Sequence, residues 1–312
     1  MKCVYHPAYQ VALPPGHPFP ISKYPLLKDL ILGRGLIGEG DLLTPEPISL
    51  DTAALVHTAE YLAKLDGPGL SVSEQRRLGM PWSSALWARA RLAAGGTLLA
   101  ARTALIDGMA VNLAGGTHHA FADHGEGFCV LNDTAVAIAE LLRTGCITRA
   151  LVVDLDVHQG NGTAAIFADA GEVFTFSMHG ARNYPLQKMR STLDVAFRNG
   201  VGDEEYLVTL AAHLPSVLER SQPDIAFYLA GVDVAAGDRY GKLALTDEGI
   251  RARERCVIET VRNRGVPLVI VLAGGYASTR ERTAELHAHA IQEAVAYERC
   301  GNVTQYRMPA RR

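Results

Sequence analysis

Short apolar runs recur along the chain at residues 109–114, 150–156, 173–178, 224–230 and 267–273, each followed by glycine or a polar cluster. Longer segments of helical period separate them, at 87–106, 132–143, 206–219, 247–262 and 279–298. Runs of this kind suit strands buried on both faces. The alternation therefore predicts an α/β fold with a largely parallel central sheet and helices on both faces. For the fourth long helix, Thr246 is a ready N-cap, and Asp247 and Glu248 in the first turn suit the helix dipole. There is no internal repeat, low-complexity tract or Ser/Gly linker, and 48% hydrophobic content can fill a large core, so residues 1–312 are expected to form one domain. Residues 5–43 are richer in Pro and Gly and predict loops with one short helix at 24–32; the tail 307–312 is expected to fray.

Charge and cysteine content remove several classes of function. A net charge of -3 and a pI near 6.4 lack the strong basic field of a dedicated nucleic-acid binder. Prolines and a histidine interrupt the N-terminus before an apolar run forms, so no secretory signal is expected; no later stretch is long and uncharged enough to span a bilayer. The expected location is the cytoplasm. The five cysteines are scattered and form no CxxC pair, which argues against a disulfide framework and a thiolate zinc site. Any metal must be held by histidines and carboxylates.

In an open parallel sheet, ligands bind beyond the carboxyl ends of the strands, where loops diverge. Here those ends carry Gly115-Gly116-Thr117-His118-His119, then Asp154-Leu155-Asp156-Val157-His158, then Val232-Asp233, then Gly274-Gly275-Tyr276. Residues two apart on an extended chain share a face, so Asp154, Asp156 and His158 project together while Leu155 and Val157 face the opposite layer. Three inward polar groups are costly to bury unless a cation or hydrogen bonds compensate them. Asp156, His158 and Asp233 would give a metal three ligands and leave a position open, as in catalytic sites. One imidazole and two carboxylates suit zinc and tolerate Fe(II) or Mn(II). His57, His124 and His179 lack such a constellation and are expected to be structural or surface residues. Cys129 is expected to be a packed thiol.

The segments GGTHHAFADHGEGFCVLND, VVDLDVHQGNGT, LAGVDVAAGD and LAGGYA, in this order and spacing, resemble the signatures of the zinc-dependent histone deacetylase family, which shares its fold with arginases. The N-terminal VYHPAYQVALPPGHPFPISKYPLL is similar to the opening of the class IV branch and its bacterial relatives. The resemblance implies that Asp156, His158 and Asp233 hold a catalytic Zn2+, or Fe2+. It implies that His119 is the general base, with His118 an electrostatic or proton-relaying partner. Tyr276 would donate to the substrate carbonyl. Asp154 would contact His118 and, with carbonyls of Asp156, His158, Ser177 and Met178, hold a structural K+. Asn161 corresponds to the group that orients the second histidine; it is an aspartate in class I and an amide in classes II and IV, so His119 should be less basic than in class I. Ala273 departs from the longer glycine run of class I, a mark of subclass. Gly127, Phe128, Tyr184 and Gly274 would wall a slot for an extended alkyl chain, with residues 71–82 at its rim.

The expected activity is removal of acetyl or longer acyl groups from the ε-amine of lysine, in a protein, a peptide or a small acylated amine. An acetylpolyamine hydrolase would instead need a constricted, acidic rim. An arginase-like enzyme would need further ligands for a second metal, where HQGN offers an amide. A silent acyl-lysine binding module would be marked by loss of a ligand, a tandem histidine or the tyrosine, and all are present. The sequence does not set the oligomeric state.

Overall fold

A computed structural model describes residues 1–305 of the chain; the tail 307–312 lies outside the described residues. Among the described residues, eight strands form one sheet: β1 (Lys2–Val4), β2 (Leu42–Leu43), β3 (Met109–Asn112), β4 (Ala150–Asp154), β5 (Val173–Gly180), β6 (Leu193–Phe197), β7 (Ile225–Leu229) and β8 (Leu268–Val271). They lie in the order β2-β1-β3-β8-β7-β4-β5-β6, and every pairing is parallel. All carboxyl ends therefore open on the same edge. The four strands whose ends carry the polar segments, β3, β8, β7 and β4, are neighbours at the centre of the sheet.

The two faces of the sheet feed separate cores. Val111, Leu151, Val153, Tyr228 and Ile270 pack into one; Ala110, Val152, Phe227, Val269 and Val271 pack into the other. Alternate residues of each strand thus enter opposite layers, which is why the strands are apolar throughout. Helices Lys23–Gly33, Asp203–Ser221, Asp247–Arg262 and Arg280–Gln305 cover the first face. Helices Ala59–Asp66, Ser84–Asp107 and Asp133–Arg143 cover the second. The cap expected at Thr246 is present: its hydroxyl accepts from Gly249 N at 3.1 Å.

Several boundaries shift. The run at 150–156 leaves the strand after Asp154, because Asp156 N turns to donate to Asp154 Oδ1 at 3.2 Å. β5 runs two residues past the expected end, to Gly180. The stretch 5–43 read as loops contributes β2, β1 lies just before it, and β6 forms an outer edge with alternating burial. Both β1 and β2 are too short to carry a period, and β6 is half-exposed.

The loop after β3 is held by a single buried carboxylate. Asp133, at the start of helix Asp133–Arg143, accepts from Gly116 N at 3.0 Å, Thr117 N at 2.7 Å, and the hydroxyls of Thr117 and Thr97 at 2.5 Å each. Removing it strands several buried donors at once. Asp133→Ala is expected to cost about 3 kcal/mol, read as a lowered urea midpoint. A change below about 0.5 kcal/mol would show that other groups hold the loop.

Candidate active site

Three buried groups converge beyond β4 and β7. The donor atoms of Asp156, His158 and Asp233 lie within 4.8 Å of one another. His158 Nδ1 is 3.0 Å from Asp156 Oδ1 and 3.1 Å from Asp233 Oδ2. Burial opposes charge on this imidazole, yet Asp233 and Asp156 outweigh it and hold the ring's pKa up to about 10. Burial, and then Asp156, raise Asp233 to about 7. The cluster thus demands positive charge. Two carboxylates and an imidazole at this separation fit a divalent cation, hard enough for zinc or Fe(II).

Backbone amides aim the carboxylates. Val157 N donates to Asp233 Oδ1 at 2.9 Å, His158 N to Asp156 Oδ1 at 2.9 Å, and Gly274 N to Asp156 Oδ2 at 2.7 Å. Gly274 must be glycine here, since a Cβ would stand 2.1 Å from Asp233 Oδ2 and 2.6 Å from Asp156 Oδ2.

The tandem histidines follow β3, with ring centroids 4.1 Å apart. His118 Nδ1 meets Asp154 Oδ2 at 2.7 Å. Burial disfavours its cation, but Asp154 and Asp156 prevail and raise its pKa to about 9. His119 Nδ1 meets Asn161 Oδ1 at 2.6 Å, and Asn161 Nδ2 donates to Glu126 Oε1 at 3.0 Å. A carboxylate only accepts, so the Asn161 amide nitrogen is committed to it and its oxygen faces His119. His119 Nδ1 therefore carries the proton and Nε2 is free to accept one. Burial, then the neighbouring His118 and His158, push His119 well below the usual imidazole range.

Of the expected wall residues, Gly127, Phe128 and Tyr184 line one cleft, and Gly274 lines a smaller adjoining pocket. The cleft, of about 460 Å³, is lined by His119, His158, Gly127, Phe128, Tyr184 and Tyr276, and at its mouth by Arg77, Leu78 and Gly79 from the expected rim. Gly127 lies at φ 54°, and a Cβ there would meet His119 Cδ2 at 2.6 Å, so the wall presses on the His119 ring. Tyr184 is 40% exposed, its ring 5.0 Å from His119 and its hydroxyl bonded to Glu126. Tyr276 packs against Tyr240 and Phe128, and its amide donates to Asp238 Oδ2 at 2.7 Å.

His57, His124 and His179 lie outside the metal-fitting cluster. His57 bridges Phe121 O and Asn132 N, and His179 meets the Ser177 hydroxyl at 2.9 Å. His124 stacks on Phe121 and lies 3.6 Å from Glu126. Burial pushes the Cys129 thiol up, as befits a packed residue. Ser177 stands beside Asp154 in the β4–β5 register, and Met178 is in the core. Glu126, Asp133, Asp238 and Lys23 were not singled out from the sequence. Of these, Glu126 has a local signal in hindsight, a lone acid beside the tunnel residues Gly127 and Phe128.

A central parallel sheet with these groups at adjoining strand ends defines an arginase/deacetylase-type α/β protein. The histone deacetylase domain model matches residues 17–293. An uncharacterized protein of Picosynechococcus sp. is 47% identical over 274 residues, 88% of this chain and 91% of that protein. Histone deacetylase 2 of Arabidopsis thaliana is 30% identical over 283 residues, 85% of this chain and 71% of that protein. The crystal structure of the HDA15 HD domain has the same fold, with a TM-score of 0.78 at 23% identity over 94% of this chain and 88% of that one. The chain belongs to the histone deacetylase family, and the membership supports deacetylase, that is amidohydrolase, activity. No described helix is long and apolar enough to cross a membrane.

The crowding at Gly274 gives a test of the cation site. Gly274→Ala is expected to lower affinity for Zn2+ at least about tenfold, measured as metal retained per chain on dialysis against a chelator series. Retention equal to the parent would show that the cluster does not hold the ion.

Proposed function

We propose that the chain is a metal-dependent lysine deacylase, with Asp156, His158 and Asp233 holding Zn2+, or Fe2+. The observation that carries this reading is that His119, His158 and Tyr276 line one cleft, with Asp156 and Asp233 grouped around His158 and His118 beside His119. When bound, the cation supplies Lewis-acid polarisation of the amide carbonyl and makes water more acidic. His119 Nε2 accepts a proton from the attacking water. His118, held cationic by Asp154, stabilises the developing negative charge and returns a proton toward the departing amine. The Tyr276 hydroxyl donates to the carbonyl oxygen as it becomes anionic. Phe128 and Tyr184 hold the lysine methylenes and exclude water.

A smaller pocket of about 30 Å³ adjoins the cleft and shares His119, His158, Phe128 and Tyr276 with it, its other walls including Phe19, Tyr24, Gly116 and Cys129. Its small size favours a short acyl group such as acetyl. The binuclear, arginase-like reading gains no support, since Asp154 is engaged by His118 and by Asp156 N. Asp154, beside Ser177 in register, together with carbonyls of Asp156, His158, Ser177 and Met178, is proposed to hold K+. Asn161 and the N-terminal segment support a class IV affinity. A cytoplasmic location is supported by Cys3, Cys129, Cys146 and Cys256, which form no disulfide.

The test is hydrolysis of acetyl-, hexanoyl- and myristoyl-lysine peptides and of acetylpolyamine by zinc-loaded protein. Acetyl-lysine should be turned over fastest. His119→Ala should lower kcat by about 10²- to 10⁴-fold, and Tyr276→Phe by about 10²-fold. Tight binding with no hydrolysis by the parent protein would establish a binding module instead.

The pH profile follows from the two imidazoles. Neutral His119 is the active form, so kcat/KM should hold level as pH falls through 6.5 and break only where that depressed ring gains its proton. On the alkaline side, activity should decline as His118 loses its proton near about 9. Asn161→Asp places a carboxylate against His119 and should move the acid break upward. An unmoved break would exclude His119 as the group that titrates there.

A further inference from the structure

The mouth of the cleft is cationic. Arg77 reaches it from helix Val72–Leu78, and Arg239 and Lys242 from the loop after β7. All three are exposed. Arg77 and Arg239 have no carboxylate partner among the described residues; Arg239 lies over the Tyr240 ring at 5.5 Å. Lys242 Nζ donates to a neutral acceptor, Arg182 O, at 2.8 Å. Lys188 stands close enough that Lys242, after burial, lowers its pKa.

Glu126 and Asp238, beside the cleft, keep their negative charge, but internal donors tie them down and neither lines the entrance. Glu126 Oε1 takes Asn161 Nδ2 and the Tyr184 hydroxyl. Asp238 takes Tyr240 N and Gly241 N at 2.9 Å each, and Tyr276 N at 2.7 Å. Three cations and no exposed carboxylate line the entrance of a chain whose net charge is -3. Fields focused at a cleft mouth raise the local concentration of the opposite charge.

We propose that this rim selects acylated amines whose carrier bears a carboxylate next to the acylated side chain, and that it disfavours polycationic carriers. The inference rests on the deacylase reading and names its substrate class. An acyl-lysine flanked by Asp or Glu fits, as does a free Nε-acyl-lysine through its own α-carboxylate. Acetylpolyamines and Lys/Arg-rich tails meet repulsion at Arg77, Arg239 and Lys242.

The test compares acetyl-lysine peptides of one length with Glu, Ala or Lys flanks, together with acetylspermidine and Nα-capped Nε-acetyl-lysine as acid or amide. Turnover and direct binding are both measured on the metal-loaded protein, at low and high salt. The Glu-flanked peptide should exceed the Lys-flanked one roughly tenfold in kcat/KM, with the gap closing in high salt. In Arg77→Glu and Arg239→Glu the Glu-to-Lys ratio should fall below one; a ratio is unaffected by the fraction of folded protein. A free acid preferred over its amide, without a flank effect in peptides, would assign the carboxylate to the free amino acid. Turnover or binding indifferent to carrier charge, or favouring the Lys-flanked peptide, would overturn the rim proposal and leave the deacylase reading intact. Charge-selective binding without turnover would do the reverse.

Discussion

Everything at the carboxyl edge of the sheet depends on burying Asp156 and Asp233 side by side. Each buried carboxylate costs several kcal/mol to desolvate, and two of them repel. The chain answers from two directions. In front, the His158 ring supplies positive charge, as would a cation held by the cluster, and three backbone amides complete the oxygens' hydrogen bonds. Behind, buried cations grip the loops themselves. Arg253 donates to Leu155 O at 3.2 Å and Gly231 O at 2.6 Å, and Lys23 to Ala273 O at 2.8 Å. Those carbonyls sit just before Asp156, Asp233 and Gly274. The residues that place the ligands are thus the ones whose backbone is held from the rear. Burial drives Lys23 down to about 8, while Asp233 and Asp156 resist the loss of its proton.

Much of this was legible in the sequence because strand periodicity and site chemistry coincide there. Asp154, Asp156 and His158 alternate on one chain, and a parallel sheet puts their neighbours His118, Asp233 and Tyr276 at adjacent strand ends. Groups that act across the sequence without a spacing were not legible. Asp133 holds the histidine loop from a helix start, where an aspartate reads as an ordinary cap. Glu126 reaches Asn161 from a loop, and Arg253 and Lys23 come from helices on the back face. Strands β1, β2 and β6 failed for a different reason: two are very short, and the third, at a sheet edge, is buried on one side only. The ligands announce themselves through cost, whereas their supports look like common surface residues until folded.

The two histidines show how one pair of adjacent residues acquires opposite roles. Both rings are buried, and burial alone would leave both neutral. Asp154 restores the charge on His118 by direct contact at 2.7 Å. Asn161 passes orientation but not charge to His119, because its amide stands between the ring and Glu126. A carboxylate in direct contact would raise the ring's pKa; one removed by an amide fixes the tautomer and lets His118 and His158 keep the ring neutral. The family's alternative of an aspartate at this position would make a stronger base that is also more readily silenced by acid. The amide leaves the ring less basic and neutral over a wider range, and Glu126, by binding Tyr184 as well, ties that choice to the wall of the cleft.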